Sequence, residues 1–338
     1  MRIGSGDHVF EWIDNWPRIP ESPSAHVGWA HPGMATTAAG ELITCHPSEP
    51  TILIFDREGV LVRALETALA EAHGITLVTE DATEYLWVAD PGSKRRPELA
   101  YEYGTAPQNG QAVKMTLDGQ VVARIERPDL PIYQTGRFSP TCVAVNEERH
   151  GGNGDVWVAD GYGESLVHRY SRFNKRGDYL GTLRGGDAPG GAFATPHGLW
   201  FDTRRAEPEL YVADRSNRRI QVFDPEGQFK RSFGEDFLSS PSAFALLDDD
   251  TLVVAELRAR LALVDRDDRL IGYLGADEAV CDRPGWPNAK NAAGEPIRPP
   301  SLAAGKFNSP HGLTADQDGN LYVAEWLIGG RYTKLQRL

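Results

Sequence analysis

Three stretches of the chain set a histidine before a glycine at the head of an apolar run: Ala72-His73-Gly74-Ile75, Pro196-His197-Gly198-Leu199 and Pro310-His311-Gly312-Leu313. Neutral imidazole is a metal ligand, and three of them around an open position make the donor set of a catalytic zinc. Iron, copper and nickel accept the same donors. The competing use is structural, since a buried imidazole can donate to a neighbouring carbonyl and stay neutral. The copies lie far apart in the chain, so only a repeating fold could bring them together.

Such a repeat is present. A hydrophobic-aromatic-Val-Ala-Asp/Glu unit reads "LWVAD" at 86–90, "VWVAD" at 156–160, "LYVAD" at 210–214, "LVVAE" at 252–256 and "LYVAE" at 321–325, with a divergent sixth copy, "ELITCHP", at 41–47. The β-branched and aromatic content predicts strands. A second strand precedes each copy, with lead-ins "AHPGMAT" (30–36), "AHGITL" (72–77), "SPTCVAV" (139–145), "TPHGLWF" (195–201), "SPSAFAL" (240–246) and "SPHGLTA" (309–315). Five copies are followed by a hairpin with Asp or Gly in its turn: "IFDREGVLVRAL", "KMTLDGQVVARI", "YSRFNKRGDYLGTL", "VFDPEGQFKRSF" and "LVDRDDRLIGYL".

Five units therefore carry four strands, and the sixth stops after its third, at "RYTKLQRL". The run "HVFEWIDNW" at 8–16 is the natural donor of the missing outer strand, and closing a ring in this way removes an exposed sheet edge. The expectation is an all-β, six-bladed β-propeller of four-stranded blades. An N-terminal strand completes the last C-terminal blade, and residues 1–338 form a single domain. The insertion Arg283–Lys306, rich in Pro, Gly, Asn and Ala, is expected to cross one face as a loop or lid.

In a propeller the first strand of each blade lines the channel. The equivalent lead-in positions are His31, His73, Thr141, His197, Ser242 and His311. Blades two, four and six carry the histidines, and alternate blades of a six-fold ring stand about 120° apart. This makes His73, His197 and His311 the predicted metal ligands, for zinc or another transition metal. His31 in blade one breaks the three-fold pattern; it either extends the site or caps its strand.

The acids ending the second strands, Asp90, Asp160, Asp214, Glu256 and Glu325, recur too regularly to be functional and are read as turn and strand-end hydrogen-bonding groups. The residues just after these acids vary: Gly161-Tyr162, Arg215 and Trp326. Tyr162 fits an acid/base role if a metal or arginine lowers its ordinary pKa of about 10, or else an amphipathic rim residue. Arg215 could be that neighbour, a clamp for a substrate carboxylate, or a surface ion pair.

With 338 residues, 41% of them hydrophobic, the chain can bury a large core. A formal net charge of −13 disfavours nucleic acid and anionic membrane as partners, which leaves a small-molecule substrate. The basic cluster Lys94–Arg96, between Pro91 and Pro97, reads as a solvated loop. No run approaches the roughly 20 apolar residues of a membrane span. The N-terminus lacks the apolar core of a signal peptide. Cys45, Cys142 and Cys281 form no CxxC pair, which suits a reducing cytoplasm.

Residues 137–234 resemble the peptidyl-α-hydroxyglycine α-amidating lyases, within the wider NHL-repeat propellers. The likeness is carried by "PTCVAV", "DGYGESLVHRYS", "GAFATPHGLWF" and "VADRSNRRIQVF". "SPHGLTADQDGNLYVAE", "AHGITL" and the opening "GDHVFEW" extend it. The resemblance implies zinc on His73, His197 and His311, Tyr162 as base and Arg215 near the substrate. The implied reaction breaks a carbinolamide into an amide and glyoxylate. Three departures accompany it. Ser5 stands where the family has an arginine before Gly-Asp-His. Gly312 replaces an aspartate that helps to hold a structural calcium, which argues against calcium here. Gly163, Tyr211 and Val222 occupy disulfide positions.

The expected function is a metal-dependent lyase that breaks a C–N or C–O bond of a small hydroxylated substrate. One alternative is a lactonase-like propeller hydrolase, whose calcium needs axial carboxylates that the six lead-in positions lack. The other is a non-catalytic NHL-type binding propeller with an exposed aromatic surface drawn from Trp200, Trp286 and Trp326.

Overall fold

The strand-forming runs pair in the order the repeat predicts. A computed structural model describes residues 1–103, 109–172, 177–186 and 191–338. It is an all-β six-bladed propeller of antiparallel four-stranded blades, and the one α-helix among the described residues is Pro23–Val27. No helix among those residues is long and apolar enough to cross a membrane. By Cα proximity the chain divides into two compact units: residues 1–68, 94–106 and 242–338, and residues 69–93 and 107–241.

The first unit holds blade one (Ala35–Thr36, Leu42–Cys45, Thr51–Phe55, Leu61–Glu66). It also holds blade five (Pro241–Leu246, Leu252–Glu256, Arg260–Val264, Leu270–Leu274), apart from Pro241, and blade six. The second unit holds blade two (Gly74–Glu80, Thr83–Asp90, Gln111–Thr116, Val121–Ile125), blade three (Cys142–Val145, Val156–Asp160, Leu166–Tyr170, Tyr179–Leu183) and blade four (Pro196–Asp202, Glu209–Asp214, Arg219–Phe223, Phe229–Phe233). Second strands such as Val156–Asp160 of blade three are buried at every residue, because blades two and four of the same unit pack against it. Outermost strands such as Leu61–Glu66 show exposed positions, as their mixed sequence requires. The turn of the "YSRFNKRGDYLGTL" hairpin, residues 173–176, lies outside the described residues.

Blade six joins Pro310–Ala315, Leu321–Glu325 and Arg331–Arg337 to the N-terminal strand His8–Asp14, with Phe10 opposite Arg337 and Trp12 opposite Leu335. Phe10 and Trp12 alternate inward and join Leu313, Leu321, Val323 and Leu335 of blade six and Val253 and Leu261 of blade five in one core. The buried Arg331 guanidinium lies 5.0 Å over the Trp12 ring and pairs with Asp14, so it ties the closing strand from both sides.

The structure departs from expectation in three places. A fifth strand, Arg2–Ser5, adds to the outer edge of blade six; its four residues are too short and polar to announce themselves. Ser5 therefore lies four strands from the one carrying His311, roughly 19 Å at ordinary strand spacing. The insertion 283–306 is not wholly irregular. It contains a small hairpin of Ala289–Lys290 with Pro296–Ile297, and Arg298 donates to the Ile328 carbonyl at 2.8 Å. Lys94–Arg96 is a loop but only partly solvated: Arg96 is exposed, whereas Lys94 is buried and Arg95 half-buried. All three cysteines are free.

If Phe10 closes the ring by burial, Phe10→Ala should lose about 3–5 kcal/mol in urea unfolding. The neighbouring Val9→Ala should lose under about 1 kcal/mol. Equal losses would remove burial as the closing force.

Candidate metal centre

Each lead-in histidine is delivered by the start of a blade's first strand. His73 immediately precedes Gly74–Glu80, while His197 and His311 are second residues of their strands. The pairing register shifts between Pro196 and Leu199, and between Pro310 and Gly312, a bulge that re-aims the side chain between them. All are buried: His31 6%, His73 1%, His197 3% and His311 3% exposed. Two of these candidate metal ligands, His73 and His197, belong to the second unit, and two, His31 and His311, to the first.

In the second unit the His73 and His197 rings lie 4.9 Å apart, nearly edge to face. The Tyr162 hydroxyl sits 3.2 Å from His73 Nε2 and 3.0 Å from His197 Nε2. Arg215 Nη2 donates to the same phenolic oxygen at 3.2 Å, with its guanidinium 5.6 Å from the ring. Tyr162 and Arg215 are thus together, and both are half-buried. In the first unit the His31 and His311 rings lie 4.4 Å apart, and Trp326 stands 5.8 Å from His31.

Backbone carbonyls behind the imidazoles explain the His-Gly pairing. His73 Nδ1 meets the Thr141 carbonyl at 2.7 Å, and His311 Nδ1 meets the Pro32 carbonyl at 3.1 Å. A carbonyl there holds the proton on Nδ1 and leaves Nε2 as the lone-pair nitrogen. A Cβ on Gly74 would lie 2.4 Å from that Thr141 oxygen, and one on Gly312 would lie 2.4 Å from that of Pro32. Gly312 therefore has a local reason to replace an aspartate.

The recurring acids behave as expected, gripping the amides just ahead of each lead-in residue. Asp90 accepts from Ala70 and Glu71, Asp160 from Ser139, Asp214 from Ala194, and Glu325 from Asn308 and Ser309. In blade one, His46 stands in the acid's place and its Nδ1 accepts from Ser48 and Glu49. Blades four, five and six pair the acid with Arg219, Arg260 and Arg331. Blade three differs. Tyr133 donates to Asp160 Oδ2 at 2.5 Å and contacts His168 Nε2 at 2.7 Å, and His168 Nδ1 reaches the Thr182 hydroxyl at 2.8 Å. Burial pushes Asp160 up to about 6, against the Tyr133 and amide hydrogen bonds. Burial, with Arg184 adding to it, lowers His168 to about 4. Burial likewise raises Asp90 and Glu325.

Sequence reading missed this network. Tyr133 lies in the 3₁₀ turn Pro131–Gln134 between blades, outside the repeat. His168 was in reach, since Gln221 occupies the same third position of blade four's third strand and also serves its acid. Trp200, Trp286 and Trp326, which the binding-propeller alternative would expose, are half-buried. Trp200 packs edge-on against Tyr211 at 5.5 Å.

No family model matches the chain. It is 27% identical over 224 residues to NHL repeat-containing protein 3 of Homo sapiens, spanning 64% of this chain and 58% of that protein. It is 25% identical over 288 residues to peptidylglycine alpha-amidating monooxygenase of Rattus norvegicus, spanning 82% of this chain but 25% of that protein. Among solved structures, a streptogramin B lyase superposes with a TM-score of 0.57 at 12% identity, over 97% of this chain and 98% of that one. At such identity the structural likeness carries the fold alone. The chain is a β-propeller similar in sequence to NHL repeat-containing protein 3, with a weaker likeness to the amidating monooxygenase.

Two measurements test this geometry. His168 bound as a neutral group favours the folded state above its unfolded pKa of about 6.5 and progressively less toward its folded value of about 4. As pH rises from 4 to 6.5, the stability of wild type relative to His168→Gln should therefore grow by about 3 kcal/mol. A constant difference would mean that His168 titrates like a solvated imidazole. Gly74→Ala should destabilise the fold by about 1–3 kcal/mol, since a backbone carbonyl must move. A neutral result in thermal unfolding would refute the close approach.

Proposed function

We propose that this propeller is a metal-dependent lyase acting on a small hydroxylated, carbinolamide-like substrate. The observation that carries the reading is the Tyr162 hydroxyl, within 3.2 Å of His73 Nε2, His197 Nε2 and Arg215 Nη2. A phenol so placed stands beside His73 Nε2, which the Thr141 carbonyl leaves free to ligate, and beside His197 Nε2. The ligands are His73, His197 and His311, and the 4.4 Å approach of His31 to His311 adds His31 as a fourth donor. An all-imidazole set suits zinc, iron, copper or nickel and not calcium, which takes oxygen ligands.

A transition metal bound there would supply a Lewis acid for a substrate oxygen. This chain's residues supply the proton chemistry. Tyr162 takes the proton of the substrate hydroxyl as that oxygen becomes a carbonyl and the C–N bond breaks. The same proton then returns to the departing amide nitrogen, so the products are an aldehyde and an amide. Arg215 donates to the phenolic oxygen and so favours the phenolate that Tyr162 must be before it takes the proton and becomes again once the proton is returned. The planar guanidinium also suits a carboxylate on the substrate. The likeness to part of an amidating monooxygenase and the motifs "DGYG" and "PHGL" support C–N cleavage over hydrolysis. The absence of acids at the lead-in positions disfavours a calcium lactonase.

Purified protein should contain about one transition metal per chain, lost in His197→Ala and in His31→Ala. Tyr162→Phe should retain the metal while glyoxylate release from N-acetyl-α-hydroxyglycine falls about 10²–10⁴-fold in kcat. Protein without stoichiometric metal, or metal content indifferent to His197→Ala, would sink the reading.

A further inference from the structure

We propose that Trp29, Trp286 and Trp326 form a binding site beside His31 and His311 for a planar aromatic acyl group. Its place in catalysis rests on the metal reading above, whereas binding itself does not. Trp326 is half-buried at the end of blade six's second strand, directly after Glu325. Its ring lies 5.2 Å from Trp29, 5.8 Å from His31 and 6.3 Å from Trp286, the last at 73°. Tyr101 meets Trp29 edge-on at 5.7 Å, and the Arg95 guanidinium lies 5.0 Å over the same indole.

Packing of the blades does not call for this cluster. The first unit's core between blades five and six is mostly aliphatic, whereas these rings come from four segments outside or at the ends of blade strands: 29, 95–101, 286 and 326. Large rings gathered from connecting segments, next to two buried imidazoles, match how ligand sites are lined. The polar atoms say what else the ligand carries. Trp29 Nε1, Trp326 Nε1 and Arg95 Nε are buried donors with no acceptor among the described residues. Buried N–H groups in native proteins are normally bonded, so the cluster is short of acceptors. A carbonyl or carboxylate oxygen supplies one, and a ring supplies the stacked or edge-on contact that indoles favour. An aromatic acyl group has both, on one rigid plane.

The probes are N-benzoylglycine and N-acetylglycine, inert acids that differ only in phenyl against methyl. In calorimetry on the full chain, benzoylglycine should bind about tenfold more tightly. Trp326→Ala and Trp286→Ala should each cut that preference to about twofold or less, Trp326→Phe should keep part of it, and Trp200→Ala should keep all of it. Thermal melting identifies any variant that fails to fold, and the remaining tryptophan variant then carries the test. Equal wild-type affinity for the two acids, or a preference intact in the folded variants, overturns the site. Repeating the titration after chelation separates the two readings. If the preference survives in a protein that holds no metal and releases no glyoxylate, the function falls and the aromatic site stands.

Discussion

A buried carboxylate at the end of a strand is expensive to keep dry, and this fold repeats the arrangement five times. Each one is tolerated because it accepts hydrogen bonds that the chain must place somewhere. In blades two, three, four and six these come from backbone amides of the segment leading into the blade's first strand. The acid therefore fixes where that segment ends, and with it the residue two or three positions on: His73, Thr141, His197 or His311. Arginines 219, 260 and 331 supply the charge balance in three blades. Blade three has Tyr133 and His168 instead, two neutral groups, and its acid is the one that burial moves to about 6.

The histidines then depend on a second constraint, the approach of a neighbouring carbonyl. For His73 and His311 one carbonyl oxygen fixes the imidazole proton and occupies the space that a side chain on the next residue would need. At these two positions imidazole tautomer and glycine are thus one requirement, and packing explains why a glycine follows His311.

Much of this was legible in the sequence because propeller blades repeat. Six copies of one strand fixed the phase, the phase aligned the lead-in positions, and the ring closure by residues 8–14 came from the missing outer strand. Features without phase were hidden. The short strand Arg2–Ser5 has too little apolar pattern to register. Tyr133 comes from a connection between blades. Arg95 looked solvated in a basic triplet, because nothing in the sequence shows that Trp29 and Tyr103 will stack with it. Tyr162 and Arg215 were visible as variation on a fixed frame, but their shared hydrogen bond depends on two blades at once.

Charge gives the site its remaining logic. None of the six lead-in positions is acidic, and the groups beside Tyr162 are two imidazoles and a guanidinium. On the reading proposed above, a divalent metal on neutral imidazoles would keep its full charge, and Arg215 would add another. In a chain of net charge −13, such a place attracts whatever anion is small enough to enter. On the reading proposed above, a substrate carboxylate would answer that need directly, and so would the phenolate of Tyr162 before it takes a proton. The two would compete for the same positive charge, so a bound carboxylate that drew Arg215 away would raise the basicity of Tyr162 as the substrate seats.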